Sequence, residues 1–250
     1  MEAYDAQQLI PTLLLLARPG AGKSEVIRFL RELEPERRAA EFHIGRLHEI
    51  DDFPMLWSWF EEDAILTELG FPRLHTDNDG YFRESYLWDL LIRRIDLEWE
   101  KAQRDGLDAD NGWTNIVEFS RGTEHGGFLR AFAHCSPAML SSAAILYINV
   151  SWEESLRKNR SRFNPDRPDS ILEHGLPDEK LYLLYHGSDW HELAGGSAGT
   201  LFLQGTEVPY AVMENEDDVT TNGGRALAER LKPVMDSLWE IFCSKKEGHR

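Results

Sequence analysis

Apolar positions along this chain follow two alternating periods. Thr12–Ala17 is a short continuous apolar run, as expected of a strand covered on both faces. From 23 to 33 the period lengthens, and Val26, Ile27, Leu30 and Leu33 recur at helical spacing. The same switch predicts strands over 115–119, 144–150 and 209–213. Helices are predicted over 86–103, where Leu87, Leu90, Leu91, Ile95 and Leu97 form the apolar stripe, and over 152–162 and 225–242. Ser151 reads as an N-cap, with Glu153 and Glu154 in the first turn, where the helix dipole favours them.

Strands alternating with helices predict an α/β fold: a three-layer α/β/α sandwich around a mostly parallel sheet. Two stretches fit poorly. About 45–110 is helical and rich in acids and Trp; 163–200 carries Pro165, Pro168, Pro177 and the Gly-rich run Ala194-Gly195-Gly196-Ser197-Ala198-Gly199. Both read as excursions from one core, so 1–250 is expected to be a single domain.

The connection between the first strand and first helix holds the densest chemistry. Residues 17–24 read Ala-Arg-Pro-Gly-Ala-Gly-Lys-Ser, the phosphate-loop pattern Gly-x-x-x-x-Gly-Lys-Ser/Thr with Ala17 in place of the first glycine. Gly20 and Gly22 permit a tight turn and close approach to phosphate, and N–H groups from Gly20, Ala21, Gly22 and Lys23 through Ser24 are expected to converge on it. Lys23 would reach the β- and γ-phosphates and the Ser24 hydroxyl would ligate Mg²⁺, with Glu25 beside them in the same first helical turn.

The next strand ends in Glu118-Phe119-Ser120-Arg121. Glu118 is a candidate for holding Mg²⁺ through a water or for accepting a proton, and Arg121 for gripping an anionic acceptor or the transferring phosphoryl group. An ordinary solvated Glu/Arg pair at a strand end is the plain alternative.

Charge changes the picture at one place. The chain has 27 Lys+Arg against 44 Asp+Glu, a formal net charge of -17, which makes phosphate backbones and anionic membranes improbable partners. Yet Arg157, Lys158, Arg160, Arg162 and Arg167 crowd together. Arginines over a phosphate site would neutralise charge on the γ-phosphoryl oxygens; a basic helical face paired with surface acids is the alternative. The two cysteines, Cys135 and Cys243, show no zinc spacing, and the apolar stretch from Leu9 to Ala17 is too short to span a bilayer, so a soluble cytoplasmic chain is expected, with a homodimer left open.

Together, the loop at 17–24, the strand ending in Glu118 with Arg121 after it, the arginine-bearing segment at 157–167 and the late strand running into Glu214-Asn215-Glu216 resemble the nucleoside and nucleotide kinase branch of the P-loop kinases, the adenylate-kinase-like group. Adenylate kinase reads Asp-Gly-Phe-Pro-Arg where this chain has Glu-Phe-Ser-Arg. The resemblance implies an ATP- and Mg²⁺-dependent phosphotransferase, with a helical acceptor-binding insertion at about 45–110 and an arginine-bearing lid at about 157–200. It also implies Asn215 near the nucleobase and catalytic roles for Lys23, Glu118, Arg121, Arg157, Arg160 and Arg162.

Such kinases collect their acceptor between the first helix and Glu118, which makes Arg46, Asp51, Asp52 and Arg73 candidates alongside Arg121. Asp51 or Asp52 could serve as base, or could simply cap the helix starting near Pro54. Trp57 and Trp59, two apart, cannot share one helical face. The expected reaction is transfer of the γ-phosphoryl group to a small acceptor, a nucleoside or nucleotide first. A nucleotide-driven switch, or a binding protein without turnover, is the alternative. No guanine-reading Asn-Lys-x-Asp is present, and Asp77-Asn78-Asp79-Gly80 follows no apolar strand and reads as a turn.

Overall fold

A computed structural model describes residues 8–162 and 176–248. The chain runs β1 (Thr12–Ala17), α1 (Lys23–Glu32), α2 (Pro35–Phe42), β2 (Arg46–Asp51), α3 (Asp52–Glu68), α4 (Tyr86–Arg104), β3 (Trp113–Phe119), α5 (Gly127–Phe132) and α6 (Pro137–Ser142). It continues through β4 (Ala143–Asn149), α7 (Trp152–Arg162), α8 (Asp178–Tyr185), α9 (Trp190–Leu193), β5 (Ala198–Leu203), β6 (Thr206–Glu214), α10 (Val219–Asn222) and α11 (Gly224–Gly248). The strands form one sheet in the order β2-β3-β1-β4-β6-β5, parallel at every pairing except β5 with β6.

The continuous apolar run of β1 is explained by its place between β3 and β4, with both faces covered. Leu13, Leu15 and Ala17 enter one core with Val26, Ile27 and Leu30 of α1 and the stripe Leu227, Leu231, Met235, Leu238 and Phe242 of α11. Leu14 and Leu16 point the other way, into a second core with Ile92, Ile95 and Trp99 of α4, Phe128 and Phe132 of α5, and Trp190 of α9. Alternation with period two therefore assigns successive residues to opposite helical layers.

Predicted elements recur with small shifts at their ends, and Ser151 Oγ accepts from Glu154 N at 3.1 Å as an N-cap. Two strands were not predicted. β2, read as part of a helical excursion, pairs with β3 from Arg46↔Trp113 to Asp51↔Glu118. β5, read as a Gly-rich loop, forms the antiparallel edge, burying Leu201 and Leu203 while Phe202 is exposed. Both lie at the margins of the sheet, where half-exposed strands carry no continuous apolar signal. The stretches 45–110 and 163–200 thus each contribute a strand to the common sheet. Among the described residues no helix is long and apolar enough to cross a membrane.

The turn after α3 is organised around Asp63, whose carboxylate is fully buried. It accepts from Leu74 N, His75 N, Thr76 N and the Thr76 hydroxyl at 2.6 to 3.2 Å. Burial alone would raise its pKa, but those hydrogen bonds outweigh it and bring it down to about 2. As Asp77 Oδ1 accepts from Asp79 N and Tyr81 N, 77–80 is the expected turn. A depressed carboxylate pKa contributes stability that is present above the unfolded value near 4 and lost as pH falls through about 2. We therefore expect Asp63→Asn to lower unfolding free energy by about 2–4 kcal/mol at pH 7, and the difference from wild type to shrink toward pH 2, in urea titrations across that range.

Candidate active site

The β1–α1 loop is shaped by two glycines with positive φ, Gly20 at 78° and Gly22 at 111°. A Cβ on Gly22 would lie 2.4 Å from the Thr220 hydroxyl oxygen, so only glycine fits. Thr220 belongs to a buried strut beneath the loop. Asn215 Nδ2 donates to the Ala21 carbonyl and to Thr220 Oγ1, both at 2.8 Å, and Lys158 Nζ donates to Thr220 Oγ1 at 3.1 Å and pairs with Asp218. From α7, Ser155 Oγ donates to the Pro19 carbonyl at 2.7 Å. Ala21 N donates back to the Arg18 carbonyl at 3.3 Å, so this N–H is used inside the loop. The first-turn N–H groups of α1 have no intrahelical acceptors, which leaves a concentration of donors and partial positive charge at its start. Ser24 is exposed and Glu25 half-exposed in that turn.

Lys23 is buried. Its ammonium donates to Ser120 Oγ at 2.8 Å and lies 3.8 Å from Glu118. Parallel register sets Glu118 beside Asp51 at the ends of β3 and β2. Asp51 also caps α3, accepting from Phe53 N at 2.9 Å. Burial, then the charges of Glu118 and Asp52, push the Asp51 carboxyl up to about 7. Asp52 takes a different partner: Arg121 Nη1 donates to it at 2.6 Å and to the Ser120 carbonyl at 2.7 Å.

Aromatic groups surround Arg121. Its guanidinium lies over Trp88, 5.3 Å from the ring centroid, and Trp88 stacks on His125 at 3.8 Å. Burial first, and Arg121 second, hold the His125 pKa down to about 3, so this ring is neutral. The end of α8 closes over the same region: Arg18 donates to the carbonyls of Tyr185 and His186, and Tyr185 meets His125 edge-on at 5.1 Å. Gly122 allows this approach, since a Cβ there would lie 2.0 Å from the Leu184 carbonyl oxygen.

Lys23, Asp51, Asp52, Glu118 and Arg121 thus meet in one cluster, while other expected site residues do not join it. Arg46 lies at the opposite end of β2, about 17 Å away along the strand, where its guanidinium covers Trp113 and bonds the Asn111 carbonyl. Arg73 supports the Asp63 turn through Thr76. Arg157 is paired with Glu154 and Asp218, and Arg160 with Asp178, both on exposed surface. These two arginines follow the plain alternative, a basic face matched to acids. It is the buried Lys158 of the same helix that turns toward the loop. The side chain of Arg162, and Arg167 with it, lies outside the described residues. Asn215 is fully buried and braces the loop from beneath. Trp59 is buried and stacks on His75, a packing role.

Four participants went unassigned in the sequence. Ser120 and Arg18 lie within the strand-end and phosphate-loop motifs but carried no role there; Lys158 was one charge among five; Thr220 had no local signature. Only three-dimensional pairing singles them out.

Among the described residues no group of three or more His, Cys, Asp or Glu side chains could hold a metal ion by itself. The donors present, an exposed hydroxyl at Ser24 and carboxylates at Glu118 and Asp51, suit a hard cation that keeps waters and takes further oxygens from a ligand.

No protein-family model matches this sequence, and no curated protein matches it. Among solved structures, the chain is similar to an unliganded sugar kinase from Janibacter sp. HTCC2649, at 14% identity over 92% of this chain and 97% of that one, with a TM-score of 0.39. A likeness that distant carries no argument about activity. What stands is an α/β fold with a six-stranded, mostly parallel sheet.

Two outcomes follow from the geometry. Gly22→Ala should destabilise by about 2 kcal/mol or more in thermal and urea unfolding, from positive φ and the clash with Thr220. A carboxyl whose pKa is raised to about 7 binds more protons folded than unfolded, so stability should fall as pH rises from about 4 to about 7. Asp51→Asn should flatten that fall, as urea unfolding at intervals across the window would show.

Proposed function

We propose that this chain is an ATP-dependent phosphotransferase that moves the γ-phosphoryl group to a small hydroxylated acceptor. The observation that carries the reading is the position of Lys23: it starts a helix behind a two-glycine loop and also reaches the strand-end groups Ser120 and Glu118. The glycine loop and a cluster of strand-end carboxylates therefore adjoin at one side chain. In this reading the loop N–H groups and Lys23 hold the β- and γ-phosphates, in line with the P-loop kinase resemblance of residues 17–24.

Ser24 and Glu118, the latter through water, would hold Mg²⁺, which when bound neutralises phosphate charge. Asp51 is the favoured group for taking the acceptor hydroxyl's proton: its pKa of about 7 suits a base, whereas Asp52 is committed to Arg121. Arg121, fixed by Asp52 and the Ser120 carbonyl, orients the acceptor. Lys158, held by Asp218 and Thr220 beneath the loop, keeps the loop in the shape that phosphate binding requires.

ADP release with Mg·ATP, measured over nucleosides, their monophosphates, sugars and small acids, tests the proposal. We expect one acceptor class to stimulate release and Lys23→Ala to reduce it by at least about a hundredfold. ATP binding with no acceptor-stimulated release would favour a nucleotide-driven switch or binding protein.

A further inference from the structure

Building on the phosphotransferase reading, we propose that the acceptor is an uncharged polyhydroxy molecule, and that its phosphate monoester is rejected. The acceptor side is lined by Asp51, Asp52 and Glu118, with one guanidinium among the described residues, Arg121. That guanidinium is buried, and its charge is already met by Asp52 at 2.6 Å and by the Ser120 carbonyl at 2.7 Å. Lys23 is engaged with Ser120 and Glu118 on the phosphate-loop side. Arg46 and Arg73, the other candidates for gripping an acceptor phosphate, are committed elsewhere in the fold. A dianionic phosphate brought here would meet carboxylates and a cation already neutralised, a juxtaposition of like charges that costs several kcal/mol.

The same groups suit hydroxyls. The carboxylates of Asp52 and Glu118, paired with Arg121 and Lys23, only accept hydrogen bonds, so a ligand hydroxyl seated against them must donate. The complementary group is His125, 3% exposed in the aromatic wall beside Arg121. Its Nδ1 accepts from Gly122 N at 3.4 Å, which leaves the hydrogen on Nε2, a buried donor without a partner. An unpaired buried donor is costly and marks a place where an oxygen belongs. Trp88, stacked on His125 and under Arg121, holds both groups in place. Hydroxyls that donate to carboxylates, with an oxygen accepting from His125 and no charge, define the ligand class. Sugars and nucleosides share this chemistry.

Matched pairs that keep the primary hydroxyl free test it on the full chain: a nucleoside against its 3′-monophosphate, and a hexose against its 1-phosphate, each by kcat/KM for ADP release. The neutral member of at least one pair should exceed its monoester by about tenfold or more, and the pair that responds identifies the source of the hydroxyls. Asp52→Asn releases the Arg121 charge and should move the ratio toward the monoester by about tenfold. Preference for the monoesters in wild type, or an unchanged ratio in a folded Asp52→Asn protein, overturns the inference; should that variant not fold, the wild-type pairs decide. If no acceptor stimulates release, the phosphotransferase reading fails by itself. Calorimetric binding of the same pairs then decides this inference, with tighter binding of a neutral member supporting it and tighter monoester binding, or no binding, refuting it.

Discussion

The candidate site rests on parallel strand register. Parallel pairing of β2 with β3, and of β3 with β1, brings the carboxyl ends of all three strands to the same edge of the sheet. That pairing places Asp51 against Glu118 and feeds β1 into the glycine loop beside them. A one-residue slip of β2 would bury its polar residues and carry Asp51 away from Glu118. The second constraint is the buried strut of Asn215, Thr220 and Lys158, which ties the loop to the segment after β6 and to α7. Sheet register sets where the reactive groups lie, and the strut sets the loop's shape.

Charge is distributed against the molecule's average in a way that composition does not display. A net charge of -17 suggests a surface in which every cation is scarce, and the cations of α7 are mostly used to pair acids locally. The cluster at the strand ends instead concentrates carboxylates. Its cost is visible in the raised pKa of Asp51, and it is offset by Lys23 and Arg121 being held within reach. A cluster so arranged favours neighbours that bring positive charge or hydrogen-bond donors.

Much of the core was legible in the sequence, because doubly covered strands and amphipathic helices leave strong periodic signals. The run at 12–17, the strand ending in Glu118 and the long C-terminal helix are of this kind. Edge strands were not: β2 and β5 are each half-exposed, and β5 begins in a Gly-rich stretch that resembles a loop. The site divides in the same way. Gly20, Gly22 and Lys23 act through local backbone geometry, which contiguous residues encode. Arg46, Arg157, Arg160 and Asn215 are engaged by partners that residue type alone does not announce, from Glu154 for Arg157, 3 residues away, to Ala21 for Asn215, 194 residues away. Side-chain type names what a group can do; distant pairing decides whether it is free to do it.

If the loop and strand-end groups form one nucleotide-dependent cleft, a bound nucleotide must protect both. Hydrogen–deuterium exchange with a saturating non-hydrolysable Mg·ATP analogue measures this directly. The account predicts slowed exchange in peptides covering 18–25 and 118–122, with little change at the far end of the sheet around 44–47. Unchanged exchange at 18–25, or protection confined to the far end, would contradict it.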